Sequence, residues 1–594
     1  MRCVAFILLL ALGPVSAGAA EIPGQAAIAS AHPLATAAGM EVLREGGDAF
    51  DAAIAVTAAL GVVEPYSSGI GGGGFWLLHR ASDGRQVVVD GREVAPAHVS
   101  RDWYLDGAGR PLRSSIDGPS AAAIPGVAAG IAHLAKNYGR LPLSRTLAPA
   151  IGLARAGFRV SPRYREAAAL RLKAVRAAPA AAEVFLRDGE VPPLGHRIVQ
   201  PDLARTFEAL AERGAEGFYR GVMARQLASG VIAEGGWWLQ QDLERYRVVE
   251  RAPIVGEYRG VRIVAVPPPS SGGVVLIEAL NILEGFDLDT LDPPVRKHLI
   301  VEVLRRAYRD RARYLGDPDF VSMPLERLLD KRYAAAERRT ISLWRATPSA
   351  PAAAGREAGN TSHFSVIDAE GNRVAATLSI NYLFGSGFMV PGTGVLLNDE
   401  MDDFSLSPGV PNVYGLVGGS ANAIAPGKRP LSSMTPTFLE SEDRVAILGT
   451  PGGSRIISMV LLGVLEFARG NGPYMWVSRP RFHHQYLPDR VEYEPEALDG
   501  RERAGLQRRG HTLVELRKPY GNMQAVLWDR DLGVVRAASD PRGEGRARVK
   551  TTGSSQARTR RASRASARPR LRSPRSVHGH LERQRSGAVP PGSR

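Results

Sequence analysis

Apolar residues recur at helical spacing in four stretches of the chain. From Ala35 to Glu45 they fall at Ala38, Val42 and Leu43, and Gly46-Gly47 ends the run. Asp48 or Asp51 is placed to cap a second helix, an Ala-rich segment to Val63 whose small residues suit close packing. Lys297 to Tyr314 and Ile456 to Arg469 predict two more. Strand composition marks Phe75 to Leu78, Gln86 to Val89, Val261 to Val266, His363 to Asp368, Val374 to Ile380 and Val445 to Leu448. Asp368-Ala-Glu-Gly371-Asn372 joins two of these as a hairpin turn. Helices mixed with hairpin-linked strands predict an α/β sandwich containing antiparallel sheet. Ala346 to Asn360, rich in Pro, Ala and Gly, reads as an exposed loop.

The ends of the chain differ from this body. Met1-Arg2, the apolar run Val4 to Leu12 and the small-x-small site Ala17-Gly18-Ala19 predict a cleaved signal peptide over residues 1–19. No later stretch reaches the length of a membrane span, so the mature protein is expected to be soluble and exported, to periplasm or medium. The net charge of +15 suggests nucleic acid until it is located. Residues 543–594 hold fourteen Lys and Arg against Glu544 and Glu582, which gives that tail +12 and leaves +3 for the preceding 542 residues. The tail lacks aromatic residues and is expected to be disordered. It reads as a dispensable extension, as a shifted reading frame would produce, rather than as a polyanion-binding arm.

The chemistry is narrowed first by what is missing. The sequence has no H-E-x-x-H, P-loop or G-x-S-x-G motif, and its single cysteine, Cys3, falls in the signal peptide. That leaves no disulfide framework, thiolate zinc site or cysteine nucleophile. His483-His484 on an extended segment would point to opposite faces, as structural histidines do. The Gly71 to Gly74 run before Phe75 has no following Lys-Ser/Thr, so it reads as close backbone packing rather than a phosphate cradle. A hydroxyl can still become a nucleophile if the chain is cut just before it, because the new α-amine has a pKa of about 7.7–8.0 and acts as base. Thr361 stands where the exposed loop meets a strand, which suits such a cut.

Thr361-Ser-His-Phe-Ser-Val, Asp368-x-x-Gly371-Asn372-x-Val374, Thr377-x-Ser379-Ile-Asn381 and Phe384-Gly385 together closely resemble the signature of the gamma-glutamyltranspeptidase family. The match continues through Gly46-Gly47-Asp-Ala-x-Asp51-Ala-Ala, Gly71 to Phe75, Asp90-Gly-Arg92-Glu-x-Ala-Pro96, Pro267 to Gly273 and Tyr314 to Phe320. Met401-Asp-Asp403-Phe-Ser, Pro430-Leu-Ser432-Ser433-Met, Pro451-Gly452-Gly453-Ser-Arg455 and Ala538-Ser-Asp-Pro541 complete it. The resemblance implies a four-layer αββα sandwich of the N-terminal-nucleophile hydrolase type. It implies a precursor cut between Asn360 and Thr361 into interlocked subunits, 20–360 and 361–594, the latter with a core to residue 542. The implied activity is γ-glutamyl transfer and glutathione hydrolysis, without metal or other cofactor.

The same resemblance implies the site. Thr361 would be the nucleophile, supported by Ser379 where the family usually has threonine. Backbone N–H groups around Gly452 and Gly453 would form the oxyanion hole. Arg92, with Ser432 and Ser433, would take the α-carboxylate of the γ-glutamyl group, and Asp403, with Asn381 and Glu400, its α-ammonium. Pro408 to Gly419, including Tyr414, matches the loop that covers the pocket in glutathione-processing members. Glutathione, other γ-glutamyl compounds and an amino-acid or peptide acceptor are the implied partners. Two alternatives stand beside this reading: a cephalosporin (glutaryl) acylase on the same scaffold, and a non-catalytic surface protein whose tail binds polyanions.

Overall fold

The computed structural model describes residues 22–349, 361–407 and 409–551. The expected signal peptide, Asn360, Pro408 and the tail beyond Thr551 lie outside the described residues. Thirteen strands form two antiparallel sheets. They are β1 (Gln25–Ser30), β2 (Gly73–His79), β3 (Gln86–Gly91), β4 (Val249–Arg251), β5 (Ile254–Tyr258), β6 (Val261–Ala265) and β7 (Ser362–Ile367). The rest are β8 (Arg373–Ser379), β9 (Thr437–Glu440), β10 (Arg444–Gly449), β11 (Gln524–Asp529), β12 (Val534–Ser539) and β13 (Arg546–Thr551). The first sheet runs β13-β1-β7-β8-β2-β3-β4 and the second β12-β11-β10-β9-β6-β5. Each sheet therefore mixes strands from before and after Thr361.

Period-2 alternation divides the first sheet between two cores. Ile28, Trp76, Leu78, Phe364, Val366, Val374, Ala376 and Leu378 face one helical layer, led by α1 (Pro33–Arg44) and α2 (Ala49–Val63). Ala27, Ala29, Phe75, Leu77, Ile367 and Ala375 face the second sheet. The same core continues beneath α3 (Gly272–Leu283), α4 (Pro293–Tyr314) and α5 (Ile456–Ala468). The order of layers is helix, sheet, sheet, helix, as the resemblance implies. No helix among the described residues is long and apolar enough to cross a membrane.

Local chemistry explains the elements that carry the site. Asp48 caps α2 through the N–H groups of Phe50 and Asp51, and Asp51 returns a bond to Asp48 N–H, closing a capping box. All fifteen residues of α2 are buried, which the Ala-rich composition permits. Packing is tight enough that a Cβ on Gly39 of α1 would lie 2.6 Å from both Ile28 and Val56. Asp368 Oδ1 accepts from the N–H groups of Glu370, Gly371 and Asn372, with Gly371 at φ 99°, and this turn sets the register of β7 against β8.

Two expectations need correction. The tail does not lose structure at Gly543: β13 forms the edge of the first sheet beside β1, and Thr36 Oγ1 donates to the Arg546 carbonyl at 2.7 Å. Composition weighed the tail as a whole, whereas main-chain pairing needs only a short extended segment, and Ala547 packs against the core while Arg546 and Arg548 are exposed. The start of the 346–360 loop is also less exposed than expected. Ala346 N–H bonds the Arg509 carbonyl, Thr347 bonds Glu302, and Ser349 N–H bonds Asp489.

Candidate active site

Thr361 lies at the start of β7, an interior strand, and is 5% exposed. The β7–β8 ladder ends with Leu378 opposite Ser362, so Ser379 stands across from Thr361, on the face between the sheets. Ser379 Oγ accepts from Asn381 N–H at 2.8 Å, which fixes its lone pair and leaves its hydroxyl proton to donate. Alternation sends the next side chain the other way: Ser362 Oγ donates to Glu64 Oε2 at 2.7 Å, beneath the helical layer. His363, on the same strand, is no base for Thr361. Burial pushes its imidazole down to about 3, and its nitrogens are engaged by Thr377 and Ser365.

The glycines of the sequence motifs allow backbones to converge here. A Cβ on Gly72 would sit 2.0 Å from the Ser379 carbonyl, and one on Gly71 would sit 2.1 Å from the Leu396 carbonyl. This is the close packing expected of that run. After β10 the chain turns through Gly452 (φ 140°) and Gly453 (φ 55°) into α5. A Cβ on Gly453 would come within 2.8 Å of the Tyr414 ring, so glycine is needed there. Tyr308, on α4, donates its hydroxyl to the Ser454 carbonyl and anchors this turn.

The other end of the pocket is charged and nearly dry. Asp90 Oδ1 accepts from Arg92 N–H just after β3, which aims Arg92 inward. Its Nη2 donates to Asp403 Oδ2 at 2.6 Å and its Nε to the Pro430 carbonyl at 3.0 Å. Nη1 lies 2.9 Å from Glu400 Oε1 and 3.4 Å from Glu93 Oε2. The Glu400 contact is close but poorly angled, and neither Glu400 oxygen has a hydrogen-bond donor among the described residues. Burial raises the Glu400 carboxyl well above the usual carboxylate range despite Arg92, and raises Glu93 to about 7. Burial alone would lower the Arg92 guanidinium, but the surrounding carboxylates hold it firmly charged.

Tyr414 closes the pocket. Its hydroxyl donates to the Asn381 carbonyl at 2.7 Å, and its own carbonyl accepts from Gln485. The loop carrying it is tied down by Val413 N–H to Asp402 and by Asn412 Nδ2 to Asp403. Asn381 itself sits at φ 69° and donates to the Asp399 carbonyl.

One cavity is lined by Thr361, Ser379, Gly453, Arg92, Asn381, Glu400, Asp403, Tyr414, Ser432 and Ser433. Every site residue named from the sequence lies there except Gly452, which is one position away, and Asn360, which lies outside the described residues. The cavity holds about 20 Å³, room for about one water with the side chains as they stand. Arg311 and Ser454 also line it and were not singled out from the sequence. A roomier groove of about 800 Å³, with His133, Lys136, Arg213 and Arg220 on its walls, contains none of these residues.

The histidine pair behaves as structural: His483 bonds Ser458 and Gln485, while His484 bonds Asp489. His298, Glu302 and His511 do converge, and their ligand atoms are engaged by one another and by neighbours except His511 Nδ1, which has no hydrogen-bond partner among the described residues. The two rings bond each other at 2.7 Å, and Glu302 is held by Arg305, Arg306 and Thr347.

The family model described as Gamma-glutamyltranspeptidase matches residues 35–549. A glutathione hydrolase proenzyme of Escherichia coli is 41% identical over 536 residues, covering 87% of this chain and 90% of that protein. The acylase ACY 1 proenzyme of a Pseudomonas species is 37% identical over 526 residues, 86% of this chain and 91% of its own. The crystal structure of a cephalosporin acylase from Bacillus halodurans superposes with a TM-score of 0.79 at 30% identity, covering 92% of this chain and 99% of that one.

Proposed function

The chain belongs to the gamma-glutamyltranspeptidase family, and on that premise we propose how its residues carry out glutathione hydrolysis and γ-glutamyl transfer. The protein is made as a proenzyme. Thr361 Oγ attacks the Asn360 carbonyl carbon, the peptide C–N bond breaks as an ester forms, and water hydrolyses that ester. Asn360 then ends one subunit and the free amine of Thr361 begins the other.

In turnover the same oxygen attacks the γ-amide carbon of the substrate. The Thr361 amine, with a pKa of about 7.7–8.0, takes the hydroxyl proton and returns it to the leaving amine. Ser379 donates to the nucleophile and holds its orientation. N–H groups at Gly452 and Gly453 stabilise the oxyanion, a contribution of about 2.7–4 kcal/mol for each donor. Water or an amino-acid or peptide amine then resolves the γ-glutamyl ester. The amino-terminal sequence features support export of the chain.

The observation that carries this reading is the Glu400–Asp403 end of the cavity. A buried carboxyl that has an ion contact with Arg92 but no hydrogen-bond donor among the described residues, beside a second carboxylate, suits the α-ammonium of a γ-glutamyl group. A glutaryl side chain, the substrate of the acylase alternative, has no ammonium to offer there. The test compares γ-glutamyl-4-nitroanilide with glutaryl-4-nitroanilide on purified protein, alongside a denaturing gel and N-terminal sequencing. The expected result is two bands, the smaller beginning Thr-Ser-His-Phe, and a clear preference for the γ-glutamyl compound. Preference for the glutaryl compound would transfer the assignment to the acylase.

A further inference from the structure

Arg92 is the evident cation of the pocket, yet it is already surrounded by Asp403, Glu400 and Glu93. The pocket wall holds a second guanidinium. Arg311, on α4, is 5% exposed, and among the described residues no carboxylate forms an ion pair with it. Asp403 acts on it only from further off, its hydrogen bonds being to Arg92 and Asn412. Burial, with Arg92 nearby, lowers the Arg311 guanidinium from its ordinary range, as expected of a desolvated cation.

The contacts of Arg311 all lead to the two serines. Its Nη2 donates to Ser433 Oγ at 3.3 Å and its Nε to Ser271 Oγ at 2.9 Å. Ser271 passes the support on: both its hydroxyl, at 2.8 Å, and its N–H, at 2.9 Å, donate to the Ser432 carbonyl. Gly272 permits this approach, since a Cβ there would lie 2.2 Å from Thr435 Oγ1. Ser432 Oγ in turn accepts from Met434 N–H at 3.0 Å. Each serine oxygen thus already accepts a fixed N–H, and its own proton is the group left to present to an anion.

We propose that Arg311 is a positioning residue for anion recognition: it orients Ser433 as a donor to the α-carboxylate of the bound γ-glutamyl group. The inference rests on the reading that this pocket takes a γ-glutamyl group.

The test uses the full chain with Arg311→Met and Arg311→Lys, each checked for cleavage into two subunits. Activity is read on γ-glutamyl-4-nitroanilide and on 4-aminobutyryl-4-nitroanilide, which keeps the ammonium but lacks the α-carboxylate. Arg311→Met is expected to raise KM for the γ-glutamyl substrate on the order of 30-fold with kcat within about threefold, and to change kcat/KM for the carboxylate-free substrate less than about threefold. Ser433→Ala added to Arg311→Met is expected to cost less than about twofold more, because both act through one hydroxyl. Should the methionine variant fail to fold, the lysine variant carries the test, with a severalfold rise in KM confined to the carboxylate-bearing substrate. Equal losses on both substrates, or an unchanged KM, would overturn the role of Arg311 while leaving the activity intact. A wild-type chain inert toward the γ-glutamyl substrate would overturn the functional reading and this inference together.

Discussion

The two ends of one small cavity are built by different means. The nucleophile end is part of a β-ladder: Thr361 and Ser379 face each other across adjacent interior strands, and their neighbours in both sheets are buried. Apart from Arg311 on α4, the recognition end is made of chain that is neither long helix nor sheet. There Arg92 follows a strand, Glu400 and Asp403 sit on a short helical turn, and Ser432-Ser433 and Tyr414 lie in loops. Bond making needs atoms held to a fraction of an ångström, which a ladder provides. Selection needs charges that meet and a cover, which loops provide.

Removing the nucleophile is the harshest way to test this contrast. Thr361→Ala should give an uncut chain with activity down on the order of 10³-fold or more, seen as one band on a denaturing gel. Normal cleavage in that variant would remove Thr361 from both reactions. A change at the recognition end should separate binding from chemistry. Asp403→Asn is expected to leave cleavage intact and raise KM for γ-glutamyl-4-nitroanilide on the order of 10²-fold, with kcat far less affected. A kcat loss as large as the KM effect would mean that the two ends are not independent.

A third comparison sets the ladder's outer edge against its centre. Ending the chain after Thr551 should leave stability and activity unchanged. Ending it after Arg542 removes β13 and should cost on the order of 2 kcal/mol by denaturant midpoint, without altering KM. Equal midpoints would show that β13 contributes nothing to the body. The mildest change is Ser379→Thr, which adds a methyl that restricts the side-chain rotamer beside Thr361. Turnover should rise by roughly threefold, and unchanged turnover would mean that Ser379 is already fixed by Asn381 N–H alone.

Legibility in the sequence followed the same division. The strands around Thr361, the turn at Asp368 and the cap at Asp48 were readable because each rests on local patterns: alternation, a φ above zero, a side chain reaching its own backbone. The charged cluster came from family resemblance, since nothing local in Arg92 or Asp403 distinguishes it from a solvated surface residue. Arg311 escaped both routes. It lies within a helix that carries Arg305, Arg306, Arg309 and Arg313, and only the fold reveals which of these turns into the cavity. Strand β13 was missed for the opposite reason, because the composition of a long segment outweighed a six-residue pattern within it.

The interleaving of strands gives the cut at Thr361 a direction in time. Before it, the two halves find each other as parts of one molecule, and each sheet closes around segments tethered to its partners. Afterwards the same sheets are shared by two chains, and unfolding turns a first-order search into a second-order one. The mature protein therefore holds its shape as a record of how it was assembled. Its recovery from denaturant should fall on dilution, whereas that of the uncut Thr361→Ala chain should not. Assembly is inherited from the precursor, and the cut that creates the catalyst also removes the easy route back to it.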